Sequence, residues 1–151
     1  MKKHTGRNIF LVLVTLIAFV AIIYASFQGK NASYHNLSVQ EVKQRIDSKK
    51  NDFVLIDVRT PQEYTGQLGH LGNAPLYPLQ SLDTQYQNLK KYQQEDKDII
   101  VYCRSGNRSR RAAEFLIDHG FKNIYNMEGG MRAWNADYGR PADSDNSPPN
   151  Q

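Results

Sequence analysis

Residues 98–109 read Asp-Ile-Ile-Val-Tyr-Cys-Arg-Ser-Gly-Asn-Arg-Ser, and this stretch decides the fold. The apolar, β-branched residues before the cysteine predict a buried strand. The residues from Ser109 to His119 carry apolar side chains at helical spacing and predict an amphipathic helix. Cys103 therefore lies at a strand-to-helix turn, where the helix dipole and free N–H groups favour a negative charge. Four arginines surround it: Arg104, Arg108, Arg110 and Arg111. We expect a thiol of low pKa in an anion-binding loop.

Short strands and helices alternate along the rest of the chain. This alternation predicts a parallel sheet covered by helices on both faces, with ligands bound beyond the carboxyl ends of the strands. The other expected elements are a helix capped by Ser38 and running to about Ser48, strands over 53–56, 74–77 and 123–126, and helices over 61–64, 82–89 and 130–137.

The N-terminal segment predicts a membrane anchor. Residues 9–27 carry no charge and follow Lys2, Lys3 and Arg7, and a helix of this length spans roughly 28 Å, close to the thickness of the hydrocarbon core. A cleaved signal peptide is the alternative, but the small residues expected at its cleavage site are poorly placed. Basic residues before the span place the N-terminus in the cytoplasm and the catalytic domain outside it, as a single-pass protein of the cell membrane.

The expected organisation has five parts. They are a basic cytoplasmic N-terminus (1–8), a transmembrane signal anchor (9–27), a linker (28–34), a catalytic domain (35–138) and a disordered tail (139–151).

The distribution of charge argues against a nucleic-acid partner. The net charge is +4, from 19 Lys and Arg against 15 Asp and Glu. Four of the 19 basic residues and none of the acidic ones lie in residues 1–33, so the remainder of the chain is balanced. The excess of positive charge therefore belongs to the segment predicted to reach the membrane.

A single cysteine cannot form a disulfide within the chain. It is buried and inert, paired between chains, or functional. The arginines and the glycine beside Cys103 do not fit a dry apolar niche, and they favour a functional thiol.

Four separated motifs, in order, resemble the single-domain rhodanese family of sulfurtransferases. The resemblance covers about residues 37–138. Two departures from the family pattern lie in one loop. Four residues, 65–68, separate Glu63-Tyr64 from Gly69-His70 where two are more usual, and Asn73 stands where the family often has glycine. The motifs are Asp57-Val58-Arg59 with Glu63-Tyr64, Gly69-His70-Leu71, Cys103 to Arg108, and Glu128-Gly129-Gly130-Met131-Arg132-Ala133-Trp134.

The resemblance implies a rhodanese-like α/β fold and a persulfide mechanism. The Cys103 thiolate would take a sulfur atom from a donor such as thiosulfate, and a thiol or cyanide would then remove it. The substrates are a small-molecule sulfur donor and a thiol acceptor, and we expect neither a cofactor nor a metal. The residues expected to bind the anion are Arg104, Ser105, Gly106, Asn107 and Arg108.

Three further residues are candidates for structural support of the site. We expect Asp57 and Arg59 to form an ion pair at the end of a strand. His70 is expected to stabilise a turn, because no second ligand stands at metal-binding spacing from it.

Two other functions are weighed against sulfur transfer. A cysteine-loop phosphatase would carry its arginine after five intervening residues, but Ser109 stands at that position and the arginine comes one residue earlier, at Arg108. A catalytically idle binding module commonly lacks the cysteine, which this chain retains; arsenate reduction is a more distant option. Asn107-Arg-Ser109 matches a glycosylation triplet, and a sugar there would block the site, which favours a bacterial source.

Overall fold

The computed structural model describes residues 13–22 and 33–142. The chain divides into two compact units, Met1–Ala32 and Ser33–Gln151. In the first unit, residues 13–22 form helix α1, and large apolar side chains along it are exposed. Within the described ranges, no helix has the length and apolar character needed to cross a bilayer. The predicted span, residues 9–27, extends beyond the described residues on both sides. The predicted N-terminus (1–8) and most of the predicted linker and tail lie outside the described residues.

A four-stranded parallel sheet forms the centre of the second unit, as predicted. Its strands stand in the order β1-β4-β3-β2, and every neighbouring pair is parallel. The strands are β1 (His35–Leu37), β2 (Phe53–Asp57), β3 (Asp98–Tyr102) and β4 (Ile124–Met127).

Six further helices cover this sheet, with short 3₁₀ turns at Leu79–Ser81 and Tyr86–Leu89. The helices are α2 (Val39–Asp47), α3 (Pro61–Tyr64), α4 (Leu82–Gln85), α5 (Lys90–Gln94), α6 (Asn107–Asp118) and α7 (Gly130–Tyr138).

Alternation along β3 separates the core into two layers. Ile99 and Val101 pack in the cluster that includes Leu116 of α6, whereas Ile100 and Tyr102 pack with Trp134 of α7. Successive side chains of a strand point to opposite faces, so a central strand covered on both sides is apolar throughout. Cys103, the next residue, belongs to the α6 layer.

The structure corrects three details of the sequence-based assignment. The strand expected at 74–77 is a single bridge between Leu76 and Asp57, because proline nitrogens cannot donate and the segment contains Pro75 and is followed by Pro78. The helix expected over 82–89 is an α-helix only over Leu82–Gln85, and Tyr86–Leu89 form a 3₁₀ turn. Helix α6 begins at Asn107, two residues before the predicted Ser109.

Candidate active site

Cys103 lies immediately after β3, at the carboxyl edge of the sheet, and is 1% exposed. Its Sγ accepts a hydrogen bond from the Gly106 backbone N–H at 3.2 Å. The Ser109 hydroxyl lies 3.4 Å from the same sulfur and 3.1 Å from the Gly106 carbonyl oxygen. The sulfur is therefore enclosed by donors supplied by its own loop and by the first turn of α6.

The pKa of Cys103 is lowered from its ordinary value. Burial raises it, but hydrogen bonds from the Ser109 hydroxyl and from the backbone N–H groups of Ser109, Ser105 and Gly106 together lower it by more. A thiolate is the reactive form of cysteine, so this environment increases the nucleophile available near neutral pH. The shift is carried by hydrogen bonds from the loop and the start of α6, whereas the sequence suggested that the helix N-terminus and the neighbouring arginines would act together.

Gly106 gives the loop its shape. It is the N-cap of α6 with φ 91°, in the left-handed region, and no side chain caps this helix. A Cβ at this position would meet the Gly129 backbone nitrogen at 3.2 Å. Glycine is therefore favoured here by conformation and by space.

The first turn of α7 holds the loop from the other side. The Met131 N–H donates to the Cys103 carbonyl oxygen and the Arg132 N–H to the Arg104 carbonyl oxygen, both at 2.9 Å. Gly130 makes this approach possible, because a Cβ there would lie 2.4 Å from the Cys103 carbonyl oxygen. With their carbonyl oxygens bound to α7, the loop peptides leave their N–H groups for the sulfur.

Arg108, expected to bind the anionic donor, forms a salt bridge with Glu63. Its two terminal nitrogens donate to the two Glu63 carboxylate oxygens, each at 2.6 Å. The hydrogen bonds from Arg108 hold the pKa of Glu63 at about 2. Glu63 raises the pKa of Arg108, and attraction to the Cys103 thiolate adds to that rise. The positive charge of the Arg108 guanidinium is therefore compensated by the Glu63 carboxylate.

The predicted ion pair between Asp57 and Arg59 is present, and both side chains are fully buried. The Arg59 Nη2 donates to Asp57 Oδ2 at 2.6 Å and to the Gly69 carbonyl oxygen at 2.7 Å. Burial lowers the pKa of Arg59, but the hydrogen bonds and the charge of Asp57 raise it by more, so the pKa lies above its ordinary value. The pair connects the end of β2 to the loop that precedes His70.

His70 is buried and packs locally. Its ring stacks on Tyr64 with a centroid distance of 3.8 Å, and its Nδ1 lies 3.1 Å from the Tyr64 carbonyl oxygen. These contacts fit the expected turn-stabilising role. Among residues 13–22 and 33–142, no group of three or more His, Cys, Asp and Glu side chains is placed to hold a metal ion.

The outer residues of the loop border two clefts. Arg104, Ser105 and Asn107 are exposed, whereas Gly106 is buried. Arg104 lines a cleft of about 330 Å³ on the α3 side. Ser105 and Asn107 line another, of about 440 Å³, on the β4 side.

Three contributors to the site are missed by sequence reasoning. In the sequence, Ser109 is notable only because a phosphatase loop would carry arginine at that position. Its place in the first turn of α6 nevertheless puts it beside the sulfur. Gly130 reads as part of a tight turn, and Glu63 as part of a family motif. The Thr60-Pro-Gln-Glu63 pattern predicts a capping box, but the second partner of Glu63 comes from tertiary structure.

Comparison with known proteins identifies the family. The rhodanese-like domain family matches residues 38–137 of this chain. The chain belongs to that family. The match contains β2, the cysteine loop and α7 up to Asp137, so all of the motifs described above lie in the rhodanese-like domain.

Similar sequences come from proteins of different size. The uncharacterized protein YqhL of Bacillus subtilis (strain 168) is 33% identical over 124 residues, covering 82% of this chain and 90% of that protein. A tRNA uridine(34) hydroxylase of Yersinia pestis (strain Pestoides F) is 34% identical over 108 residues. That alignment covers 70% of this chain but 29% of the hydroxylase, so the chain spans less than a third of that relative.

Similar solved structures share the architecture. A rhodanese-related protein from Thermoplasma volcanium matches with a TM-score of 0.59 and 30% identity, covering 70% of this chain and 94% of its own. A Rhodopseudomonas palustris protein described as a possible tyrosine phosphatase matches with a TM-score of 0.62 and 29% identity, covering 72% of this chain and 83% of its own.

Proposed function

We propose that this protein is a sulfurtransferase that carries sulfane sulfur as a persulfide on Cys103. The observation that carries the proposal is the sulfur's setting, with N–H and O–H donors directed at Sγ and no imidazole needed to deprotonate it. Such a loop can stabilise an anion on Sγ and on a sulfur atom attached to it.

The reaction has two half-steps. In the first, the Cys103 thiolate attacks the outer sulfur of thiosulfate, an S–S bond forms on Sγ, and the sulfur–sulfur bond of thiosulfate breaks to release sulfite with its electron pair. In the second, a nucleophile takes the outer sulfur and returns Cys103 as a thiolate. Separate donor and acceptor steps through a covalent intermediate give ping-pong kinetics.

Mass spectrometry of the intact protein tests this proposal directly. Reduced protein incubated with thiosulfate should gain the mass of one sulfur atom while one equivalent of sulfite appears in solution. Cyanide or dithiothreitol should remove the added mass. Cys103→Ser should show neither change, because a serine hydroxyl does not ionise near neutral pH and forms no persulfide.

The outcome that contradicts the proposal is equally clear. If Cys103 alkylates with an ordinary pH dependence and no adduct forms on the freshly reduced protein, the binding-module hypothesis replaces it. The protein is reduced first, since a reactive thiolate is also prone to oxidation to sulfenic acid, and the reductant is removed before thiosulfate is added, since it would strip the persulfide.

Phosphate-ester cleavage is the second candidate, because one similar structure is described as a possible tyrosine phosphatase. The buried Ser109 occupies the position where a phosphatase loop would carry its arginine, and its hydroxyl faces Sγ. Inserting one residue between Asn107 and Arg108 should widen the loop and weaken thiosulfate turnover. If the wild type hydrolyses an aryl phosphate faster than it transfers sulfur, the sulfurtransferase proposal is wrong.

We also propose that residues 9–27 anchor the domain in a cell membrane and take no part in catalysis. The proposal is supported by the uncharged run and the preceding basic residues. A fragment starting near Asn31 should keep the rate of sulfur transfer and lose the membrane association of the full chain. Full-length protein found entirely in the soluble fraction would contradict the anchor.

A further inference from the structure

The cleft on the α3 side of the cysteine loop has a volume of about 330 Å³ and includes residues from three separate segments. Arg104 belongs to the cysteine loop itself, and Arg132 to the first turn of α7. The other polar residues that line it are Arg59, Gln62, Glu63 and Gln67.

Two of the charges that line this cleft are already neutralised. The Arg59 side chain is paired with Asp57 at 2.6 Å, and the Glu63 carboxylate is paired with Arg108 at 2.6 Å. The side chains of Arg104 and Arg132 are exposed, and neither forms a salt bridge with any residue in 13–22 or 33–142. The cleft therefore carries two uncompensated positive charges.

The backbones of these two arginines are fixed next to each other. The Arg132 N–H donates to the Arg104 carbonyl oxygen at 2.9 Å, and Gly130 packs against the loop backbone. Both arginines border one cleft, and a guanidinium group suits a carboxylate, which it can bind through two parallel hydrogen bonds.

The size of the cleft favours an organic ligand over an inorganic ion. Its volume falls at the lower end of the range for organic ligands, about 300–1,000 Å³. Thiosulfate needs little more space than the loop provides around the Cys103 sulfur, and Cys103 is 1% exposed. The glutamine amides add hydrogen-bonding groups of the kind that orient a polar organic molecule.

We propose that Arg104 and Arg132 bind the carboxylate groups of an organic thiol, the acceptor of the persulfide sulfur. The proposal rests on the sulfurtransferase function proposed above and assigns the substrate class of its second half-step. The acceptor enters as a thiol, its proton passes to the outer sulfur of the Cys103 persulfide anion, and the acceptor thiolate attacks that sulfur. A new S–S bond forms on the acceptor, the bond to Sγ breaks, and its electron pair stays on Cys103 as the thiolate.

A matched series of acceptors tests the assignment. The full-length protein, with thiosulfate as donor, is assayed with glutathione, which has two carboxylates, with 3-mercaptopropionate, which has one, and with the neutral 2-mercaptoethanol. Arg132→Gln is compared with the wild type for each thiol, so that the intrinsic reactivity of the thiol cancels. Arg140→Gln is the control, because Arg140 is an exposed arginine that follows α7 and does not line this cleft.

The expected result is a graded loss. Arg132→Gln should lower kcat/KM about tenfold for glutathione, less for 3-mercaptopropionate and by about twofold or less for 2-mercaptoethanol. Arg140→Gln should leave all three ratios near one. An equal loss for the three thiols, or no loss with glutathione, overturns the proposal.

A binding experiment separates this inference from the proposed function. S-methylglutathione keeps both carboxylates but cannot accept sulfur, and its affinity for Cys103→Ser can be measured by calorimetry. Weaker binding after adding Arg132→Gln supports the subsite even if no persulfide forms, whereas unchanged binding overturns it. Absence of the Cys103 persulfide in the mass experiment counts against the proposed function alone.

Discussion

Helices α6 and α7 begin beside the same loop, and each follows a glycine in the left-handed region, but their free N–H groups have different acceptors. Around the start of α6, the Gly106 N–H donates to the Cys103 sulfur. At the start of α7, the N–H groups of Met131 and Arg132 donate to carbonyl oxygens of the loop. One helix start therefore activates the nucleophile, whereas the other holds the loop that carries it.

Helices α2 and α3 show the alternative way to satisfy a helix N-terminus. Both begin with capping boxes, Ser38 with Glu41 and Thr60 with Glu63, in which side chains take the free N–H groups. Neither α6 nor α7 has a side-chain cap. Free N–H groups are needed wherever an external anion or a distant carbonyl oxygen is to be bound, and the lack of side-chain caps on α6 and α7 leaves such groups for the Cys103 sulfur and for the loop carbonyl oxygens.

The largest effect should come from breaking the contact between α7 and the loop. In Gly130→Ala the added Cβ meets loop backbone at 2.4–2.8 Å, and alanine is also strained at φ 56°. We expect a loss of about 3 kcal/mol or more in the free energy of unfolding, together with most of the activity. Urea denaturation and the persulfide assay measure both.

Gly72→Ala is the matched control for this prediction. Gly72 has a similar φ of 49°, but nothing lies within 4 Å of the point that the alanine methyl group would occupy. We expect only the conformational cost, about 1 kcal/mol. Equal losses in the two variants would show that close approach to the loop is unimportant.

A smaller effect is expected from the donors at α6. In Ser109→Ala the hydroxyl that faces Sγ is lost, so the pKa of Cys103 should rise. The pH profile of iodoacetamide alkylation should move upward, with slower reaction at neutral pH and a rate at high pH close to that of the wild type.

Ser81→Ala serves as control for the hydroxyl. Ser81 also donates to a carbonyl oxygen three residues before it, that of Pro78, at 3.3 Å, but it is not among the groups that shift the thiol. Its profile should match that of the wild type. A Ser109→Ala profile that also matched would assign the low pKa to the backbone N–H groups alone.

The smallest effect concerns Glu63, which both caps α3 and binds Arg108. Since its folded pKa of about 2 is below that of an ordinary carboxyl group, its stabilisation is complete above the unfolded pKa and is lost as the pH falls towards 2. Glu63→Gln should cost about 1 kcal/mol at pH 7, as expected for a partly exposed pair. The difference from wild type should shrink between about pH 5 and pH 2.

A double-mutant cycle with Arg108→Gln separates the two roles of Glu63. If the pair accounts for the loss, Glu63→Gln in the Arg108→Gln background costs little more than the loss of the cap. Glu41→Gln provides the comparison for a capping box, because Glu41 caps α2 and makes no bond to Arg108. A Glu63 effect that is independent of both pH and Arg108 would contradict the assignment.

The sequence predicted the parts of the fold that depend on local pattern. The buried strand β3, the capped helix α2 and the glycine-containing loop before α6 follow from apolar runs, capping residues and turn residues. The edge strand β1 was not predicted, because His-Asn-Leu has no apolar run and its pairing with β4 joins residues far apart in the chain, such as His35 and Tyr125. The 3₁₀ turn over Tyr86–Leu89 was likewise not predicted, because the buried Leu82 and Leu89 are spaced as in a continuous helix.

The sequence predicted the parts of the site whose residues are close together in the chain. It did not predict contacts between residues that are far apart in the chain. Cys103 and the ion pair of Asp57 with Arg59 follow from residues close in sequence. The capture of Arg108 by Glu63, 45 residues away, does not. It alters the expected chemistry, because the arginine nearest the helix start has a carboxylate partner, whereas Arg104 and Arg132 have no such partner among the described residues.

The hydrogen bonds from α7 to the loop also set an order of events during synthesis. The nucleophile leaves the ribosome well before Gly130 and Met131, so the loop lacks the donors that hold its carbonyl oxygens until the end of the domain has emerged. We expect the thiol to titrate as an ordinary cysteine up to that point, which alkylation of a fragment ending at Glu128 would show. A nascent chain would thereby be spared premature reaction at its only cysteine.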